Sequence, residues 1–303
     1  MELVIKNLSK TYADGVQALR KINLTIGQGM FGLLGPNGAG KSTLMRIIAT
    51  LQEADSGSGI TLGDIDVLKQ KEEVRGLLGY LPQEFGVYPK IEAERLLTHL
   101  AVLKGITNKN ERKDIVHALL HKTNLWPVRN KNLGGFSGGM RQRFGIAQSL
   151  LANPKLMIVD EPTAGLDPAE RSRFLNLLSE VGENTIVILS THIVEDVKEL
   201  CTDMAIINNG QLLYKGEPSQ AIGELEGRIW KKRVHKSELE EYKTNYKVLS
   251  IRLVAGTPEI HVLNETQPDS SFQKIPAGLE DVYFAQISGE IEEKQYSRLH
   301  ITQ

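Results

Sequence analysis

The sequence predicts an α/β fold with a mainly parallel sheet covered by helices on both faces, followed by a smaller C-terminal α+β domain. Near-continuous apolar runs, LMIVD at 156–160 and TIVILS at 185–190, are typical of parallel strands buried on both faces. A helical pattern around 169–181 lies between them, and this strand–helix–strand alternation indicates a parallel sheet. Near residue 223 the composition changes, and charged, alternating segments replace the buried runs.

The first 35 residues are predicted to form strands. ELVIKNL and INLTI alternate apolar and polar residues, whereas MFGLLG is a continuous apolar run. From Lys41 onward the apolar residues recur at helical spacing, so a helix is expected directly after the third strand.

The middle of the chain predicts a helical insertion. Residues 91–125 have the apolar spacing of two helices, separated by the polar segment GITNKNERKD, and carry no strand signal. A further helix is expected at about 140–152, where Asn-Pro stops it. Beyond it, GELEGRIWKKRVHKSELEEYK (223–243) is interpreted as a linker followed by a helix, and YKVLSIRLVAG and EIHVLNE as half-exposed strands. We therefore expect the second domain to span about 225–303.

Composition limits the classes of function. The 303 residues carry a formal net charge of −1, from 36 basic and 37 acidic side chains, and this balance argues against nucleic-acid binding, which usually needs a basic excess. The single cysteine, Cys201, allows no internal disulfide or cysteine metal cluster and fits a reducing, cytoplasmic setting. The N-terminal apolar run is too short for a signal peptide, and no stretch is typical of a membrane span. Any action at a membrane is expected to need a partner.

GPNGAGKST matches the phosphate-loop pattern G-x-x-x-x-G-K-[ST] between a predicted strand and a predicted helix. Backbone N–H groups of such a loop surround phosphates, and the helix N-terminus adds the positive end of its dipole. Lys41 is expected to reach the β- and γ-phosphates and Ser42 to ligate Mg²⁺. A chance glycine-rich turn is the alternative interpretation. The candidate nucleotide-binding residues of this loop are Gly35, Pro36, Asn37, Gly38, Ala39, Gly40, Lys41, Ser42 and Thr43.

Two acidic residues end the strand LMIVD. Ligands of open α/β sheets bind beyond the carboxyl ends of the strands. Asp160 is therefore expected to hold Mg²⁺ through water, and Glu161 to accept a proton from the attacking water. Without the phosphate loop, a solvated strand end would be the preferred interpretation.

Four motifs, GPNGAGKST, FSGGM, LMIVDEPTAGLDP and LSTH, occur in an order and spacing that resemble the ATP-binding cassette (ABC) proteins. The resemblance covers roughly residues 1–225. It implies a P-loop NTPase fold of ABC ATPase type over 1–224, with a mainly parallel sheet core, an antiparallel β subdomain and a helical subdomain at about 86–150. It also implies ATP and Mg²⁺ as cofactors and hydrolysis of the γ-phosphate by water.

The same resemblance implies roles for single residues. Gln83, in YLPQEFG, is similar to the glutamine that touches Mg²⁺ and the attacking water, and His192 to the histidine that contacts the γ-phosphate. Asp167, in AGLDP, resembles the aspartate that links the two halves of a dimer. Tyr12, in SKTYADG, resembles the aromatic residue that stacks on adenine, although taken alone it would indicate only a surface tyrosine.

FSGGM resembles the family signature LSGGQ but departs from it at Phe136 and Met140. Ser137, Gly138 and Gly139 are intact and precede a predicted helix, an arrangement that binds anions. The resemblance implies that a second subunit's phosphate loop supplies the missing lysine, so that two subunits enclose two ATP molecules. A flexible glycine hinge is the alternative from the residues alone.

As a whole, the resemblance implies the ATPase subunit of a transporter, homodimeric and held at the cytoplasmic face of the membrane by a permease. Phe85, Val87 and Tyr88 are candidates for the permease contact, with internal packing as the alternative. GLEDVYFAQI (278–287) resembles the LEDVF element of many ABC-2-type exporter ATPases.

Other classes of function stay open. Another exporter class or an importer is the nearest alternative. A soluble ABC ATPase working on ribosomes or DNA is disfavoured, since the sequence shows no tandem cassette, long coiled-coil insertion or cysteine zinc module. A GTP-binding switch is disfavoured because no N-K-x-D base reader is present.

Overall fold

A computed structural model describes residues 1–83, 86, 88–163 and 165–289. The strands in this part of the chain are β1 (Leu3–Thr11), β2 (Gln17–Ile26), β3 (Gly29–Leu34), β4 (Gly59–Leu62), β5 (Ile65–Asp66), β6 (Leu78–Leu81), β7 (Leu156–Asp160), β8 (Ile186–Thr191), β9 (Asp203–Asn208), β10 (Gln211–Gly216), β11 (Ile229–Arg233), β12 (Lys247–Val254), β13 (Thr257–Leu263) and β14 (Gln273–Lys274). The helices are α1 (Lys41–Ile48), α2 (Lys71–Leu77), α3 (Ala93–Leu103), α4 (Lys109–Lys122), α5 (Gly138–Ser149), α6 (Pro168–Gly182), α7 (Val194–Leu200), α8 (Pro218–Leu225), α9 (Leu239–Asn245) and α10 (Leu279–Ile287).

The central sheet has six strands in the order β10-β9-β3-β8-β7-β6. Its neighbours from β9 to β6 pair in parallel, and only β10 is antiparallel to β9. Every residue of β7 and β8 is buried, as expected of continuous apolar runs covered on both faces. The predicted mainly parallel core is confirmed, and it brings the carboxyl ends of β3, β7 and β8 to one edge.

A second, antiparallel sheet has the order β2-β1-β4-β5. One hydrophobic cluster joins it to α1 and to one face of the central sheet, with Leu3, Leu24, Ile47 and Ile158 among its buried members. Helix α1 is therefore held between two sheets, which fixes the loop that precedes it.

Helices α3, α4 and α5 form the predicted helical subdomain around a cluster of their own. Leu97, Val116 and Phe144 are fully buried in it. Helix α5 also contacts strand β6 of the central sheet. The helix that begins at Gly138 is thus packed on one side against the helical subdomain and on the other against the core.

The third sheet is antiparallel, in the order β12-β13-β11-β14, and lies in the C-terminal part with α9 and α10. The prediction of a linker within 223–243 is wrong for β11. Ile229 and Trp230 are buried there, and the Trp230 indole N–H donates to the backbone oxygen of Asn264 at 3.0 Å. The run Lys-Lys-Arg that follows masks this short apolar signal. The domain boundary near residue 225 stays a prediction.

No helix among the described residues combines the length and the apolar character needed to cross a lipid bilayer.

Candidate functional site

The loop between β3 and α1 has a backbone that requires glycine. Gly38 and Gly40 have φ angles of 81° and 107°, in the left-handed region that side chains disfavour. A Cβ atom at Gly40 would stand 2.6 Å from the backbone oxygen of Ala18 on β2. The loop is therefore wrapped tightly against its neighbours and turns its backbone toward the start of α1.

Lys41 is the first residue of α1 and lies buried inside the loop. Its Nζ atom donates to the backbone oxygens of Gly35 at 2.6 Å and Pro36 at 3.1 Å, and lies 4.0 Å from Glu161 Oε1. Burial lowers the pKa of the Lys41 ammonium, while Glu161 and then Asp160 act in the opposite direction. The phosphate loop thus holds the Lys41 ammonium next to the carboxylates of Glu161 and Asp160.

A hydroxyl and a carboxylate meet where Mg²⁺ is expected. Ser42 Oγ lies 3.4 Å from Asp160 Oδ2, and burial raises the pKa of the Asp160 carboxyl. Mg²⁺ prefers oxygen ligands and usually takes only one or two from the protein, with waters and phosphates completing the shell. In the part of the chain that the structure describes, no cluster of three or more His, Cys, Asp or Glu could hold a metal by itself. The Ser42 hydroxyl and the Asp160 carboxylate are oxygen donors of the kind and number that Mg²⁺ takes from a protein.

Glu161 follows β7 in a strained backbone conformation. Its φ is 47°, and its backbone N–H donates to the oxygen of Ser190 on β8 at 2.8 Å. The side chain is mostly buried, and Oε2 lies 2.8 Å from His192 Nδ1. The carboxylate is therefore held between Lys41 and His192, one residue beyond the strand end.

A cavity of about 960 Å³ opens beside the loop. It is as large as small-molecule sites usually become, about 300–1,000 Å³. Tyr12 is 37% exposed at its wall, and Tyr12 Oη lies 2.9 Å from Thr43 Oγ1. The hydrogen bond with Thr43 lowers the pKa of the Tyr12 phenol. The predicted site residues that line this cavity are Tyr12, Pro36, Asn37, Gly38, Ala39, Gly40, Lys41, Ser42, Thr43, Gln83 and Glu161.

The signature segment FSGGM, residues 136–140, lies outside this cavity. Ser137 is the N-cap of α5, its Oγ accepts from the Met140 N–H at 3.2 Å, and Ser137 and Gly138 are both exposed. Gly139 is buried because α6 packs over it, and a Cβ there would stand 2.5 Å from Glu170 Oε2. Among the residues whose position is known, none of these signature residues lines the cavity described above.

Asp167 also lies outside that cavity. It is the N-cap of α6, and its Oδ1 accepts from the Glu170 N–H at 2.8 Å. Its side chain is exposed and does not line that cavity.

Phe136 and Met140, where the sequence departs from the family signature, pack in or against the hydrophobic cluster of the helical subdomain. The Phe136 ring is buried, 6.5 Å from that of Phe144 in an edge-on arrangement, and Met140 packs against the same cluster. Aromatic pairs prefer this geometry. The changes from leucine and glutamine are therefore packing changes beside an exposed Ser137.

Comparison with known proteins identifies the family to which this site belongs. The sequence pattern of the family described as ABC transporter matches residues 19–164. An ABC transporter ATP-binding protein of Bacillus subtilis (strain 168), NatA, is 37% identical over 71% of this chain and 89% of its own length. This chain belongs to the ABC transporter ATP-binding proteins. YxlF of the same organism, an uncharacterized ABC transporter ATP-binding protein, is 31% identical over 93% of this chain and 98% of its own.

Other relatives of this ABC protein differ in length and in name. YbhF of Escherichia coli (strain K12), a probable multidrug ABC transporter ATP-binding protein, is 37% identical over 70% of this chain, which spans only 36% of YbhF. Among solved structures, the dimeric ATP-binding cassette MJ0796, bound to ADP and Pi in a post-hydrolysis state, is similar with a TM-score of 0.64 and 25% identity. The similarity covers 71% of this chain and 98% of that one.

Sequence reasoning missed a hairpin that completes the site of this ABC protein. Asn209 and Gly210 form the turn between β9 and β10 and line the cavity, as does Arg20. The Gly210 N–H donates to the Ala39 oxygen at 2.9 Å, and its own oxygen accepts from the Arg20 N–H at 2.8 Å. Asn-Gly between two apolar runs is the sequence signal that could have revealed this turn.

Proposed function

We propose that this chain is the ATP-binding and ATP-hydrolysing subunit of a transporter, working as a homodimer around two Mg-ATP molecules. The observation that carries the proposal is the placement of Glu161. It lies 2.8 Å from His192 and 4.0 Å from Lys41 at the mouth of a phosphate loop. Binding alone would need the loop and the lysine, whereas a buried carboxylate held at this point serves a reaction with water.

Binding begins with an exchange of partners at Lys41. Its ammonium leaves the carbonyl oxygens of Gly35 and Pro36 for phosphate oxygens, which replaces neutral hydrogen-bond acceptors with charged ones. The adenine ring is proposed to stack on Tyr12 at the wall of the cavity. Ser42 and Asp160, with Gln83 at the cavity edge, would hold Mg²⁺, which supplies charge stabilisation for the phosphates when bound.

The reaction is an in-line attack of water on the γ-phosphorus. A bond forms between the water oxygen and phosphorus, the bond from phosphorus to the β-γ bridging oxygen breaks, and ADP leaves with that electron pair. The water proton goes to Glu161 Oε. His192 touches the same carboxylate and orients it beside the γ-phosphate. Catalysis then rests mainly on positioning and charge stabilisation.

We propose dimerisation because signature residues that belong to one half of the expected nucleotide site are exposed on the surface of the chain. Ser137 and Gly138 are exposed at the start of α5, and Asp167 is exposed at the start of α6. A helix start of this kind binds anions, so it suits the ATP held by a second subunit. The dimeric state of MJ0796 supports this arrangement.

A groove between the core and the helical subdomain suits a helix of a membrane permease. It encloses about 300 Å³ and is lined by Tyr80 of β6 and by Leu51 and Leu103, which are 62% and 71% exposed. An apolar groove that leaves leucines exposed is typical of helix-in-groove recognition. Of the residues proposed from sequence for this contact, Tyr88 is 65% exposed, whereas Phe85 and Val87 lie outside the described residues. Through this partner the chain is proposed to sit at the cytoplasmic face of the membrane.

We assign the transporter to the ABC-2-type exporters. The LEDVF-like element forms α10, where Asp281 accepts from the Gly278 N–H and its Oδ1 lies 2.8 Å from His261 Nδ1. A relative named for linearmycin resistance, LnrL of Bacillus subtilis, supports export. Import is the second candidate, because PhnC of Treponema denticola, named a phosphonates import protein, is 33% identical over 74% of this chain.

Three experiments test the proposal. Phosphate release from Mg-ATP by the purified full-length chain tests hydrolysis, and its absence at protein concentrations that give a dimer would overturn it. Affinity purification from solubilised membranes should recover a permease. ATP-dependent uptake of fluorescent amphiphiles into inverted vesicles carrying the complex indicates export. Uptake seen only in right-side-out vesicles loaded with ATP would indicate import instead.

A further inference from the structure

Asp196 on α7 is a fully buried carboxylate, 0% exposed, that the mechanism above does not use. Its Oδ1 accepts from Arg171 Nε at 2.7 Å and lies 2.6 Å from Arg171 Nη2. Its Oδ2 accepts from the hydroxyls of Thr163 at 2.6 Å and Thr191 at 3.4 Å. Buried charges persist when they are paired and hydrogen-bonded. This one joins three separate segments of the chain.

The first segment carries the proposed general base. Thr163 is buried two residues after Glu161, whose backbone lies in the left-handed region at φ 47°. Such a conformation persists only when the surrounding structure holds it from several sides. The bond from the Glu161 N–H to the Ser190 oxygen holds it on one side, and the bond from Thr163 to Asp196 holds it on the other.

The second segment carries His192. Thr191 directly precedes it, is buried, and its Oγ1 accepts from the Ile193 N–H at 2.9 Å while lying next to Asp196. The chain on both sides of His192 is therefore tied to one hydroxyl, and that hydroxyl is tied to the buried carboxylate.

The third segment is the first turn of α6. Arg171 is next to Glu170, which packs against Gly139 at the signature helix and lies 3.4 Å from Arg143 Nη2. The carboxylate that fixes Glu161 and His192 is thus bonded to the helix that supports the signature segment. Both proposed half-sites of the chain are anchored to one ion pair, whose carboxylate is fully buried.

We infer that Asp196 is a positioning residue that sets Glu161 and His192 against each other and against α6, with Thr163 and Thr191 as its links. The inference rests on the proposed ATPase function. Loss of a link should lower kcat while leaving ATP binding unchanged, because in the described residues the hydrogen bonds of Lys41 and Tyr12 go to the phosphate loop and to Thr43, and not to Asp196 or its links.

Thr163→Val gives the sharper test, because it keeps the shape of the side chain and removes only the hydroxyl. We expect kcat to fall about 10- to 100-fold, the scale of a small misplacement of reacting groups. Affinity for Mg-ATP, measured by calorimetry, should stay at the wild-type value. Thr163→Ser keeps the donor and should restore kcat.

Thr185→Val is the matched control. Thr185 is equally buried and donates to the Pro154 oxygen at 3.3 Å, at the opposite end of the central sheet. Because each valine variant loses one buried hydrogen bond, Thr185→Val and Thr163→Val should lower Tm by similar amounts, but Thr185→Val should keep the wild-type kcat. Asp196→Asn, where it folds, should show the same split between kcat and binding as Thr163→Val.

The outcomes are distinguishable. Wild-type kcat in Thr163→Val overturns the inference and leaves the ATPase function standing, and so does a serine variant as impaired as the valine variant. A wild-type chain that releases no phosphate overturns the proposed function and the inference with it.

Discussion

Glu161→Gln removes the negative charge of the proposed general base and changes little else. Glutamine has the same length and must adopt the same left-handed backbone, so the strain at φ 47° is retained. Its side-chain oxygen can still accept from His192 Nδ1, 2.8 Å from Glu161 Oε2. We therefore expect the variant to fold with an unchanged Tm.

The size of the effect follows from the role of Glu161. General-base catalysis contributes about 10²–10⁴-fold to a rate. Each factor of ten corresponds to 1.36 kcal/mol, so its loss raises the activation barrier by about 3–5 kcal/mol. Binding should change far less. Removing the carboxylate frees Lys41 from a competing partner at 4.0 Å and ends the repulsion of the γ-phosphate, so any change in affinity should be toward tighter binding.

The assay compares phosphate release with calorimetric binding of Mg-ATP, and gel filtration reports the ATP-dependent dimer. The dimer should persist in Glu161→Gln, since ATP binds without being consumed. Glu180→Gln is the matched control. Glu180 lies on α6, is mostly exposed and stands 3.9 Å from Lys122, a surface pair worth about 0–1 kcal/mol, so its rate should equal that of the wild type. Undiminished turnover in Glu161→Gln would refute the general-base role.

Three further predictions concern single residues. Lys41→Ala should weaken Mg-ATP binding about 10- to 100-fold, because a charge-assisted hydrogen bond contributes about 1.5–3 kcal/mol, and unchanged affinity by calorimetry would contradict this. Ser137→Arg should abolish the ATP-dependent dimer while the monomer stays folded at a cost of about 1 kcal/mol for the lost cap, and a dimer surviving in gel filtration would refute the trans role. Cys201 should resist thiol reagents in the native chain at pH 8. Burial, aided by Asp196 and Asp203, raises its pKa to about 12, and labelling as fast as in the unfolded chain would show the thiol to be accessible.

The nucleotide site is predictable from sequence because its requirements are local. The left-handed angles at Gly38 and Gly40 select glycine, and the lysine and serine follow within two residues. The same holds for Glu161, which directly follows a buried strand. Gln83 could be assigned only by position, although the structure brings it to the same cavity.

The Asp196 network was not predictable from sequence because its contacts are not local. Its bonds join residues separated by 25 and 33 positions, and nothing in the pattern of α7 distinguishes a buried aspartate from the solvated acids beside it. Strand β11 was missed because two buried residues, Ile229 and Trp230, precede three cations. In both cases tertiary packing, rather than local pattern, decides the outcome.

Helix α10 has a consequence for any attempt to dissect the molecule. It packs against α7 and α8, and Leu279, Val282 and Ala285 are buried in the same cluster as Val187 and Val197 of the core. Burying a side chain such as leucine or valine stabilises a protein by about 1.5–3 kcal/mol. A fragment ending near residue 225 would leave the apolar surface beneath α10 exposed to solvent and prone to aggregation. The C-terminal part that carries α10 therefore cannot be exchanged by itself between cassettes. Joining it to another cassette would require matching changes on α7 and α8.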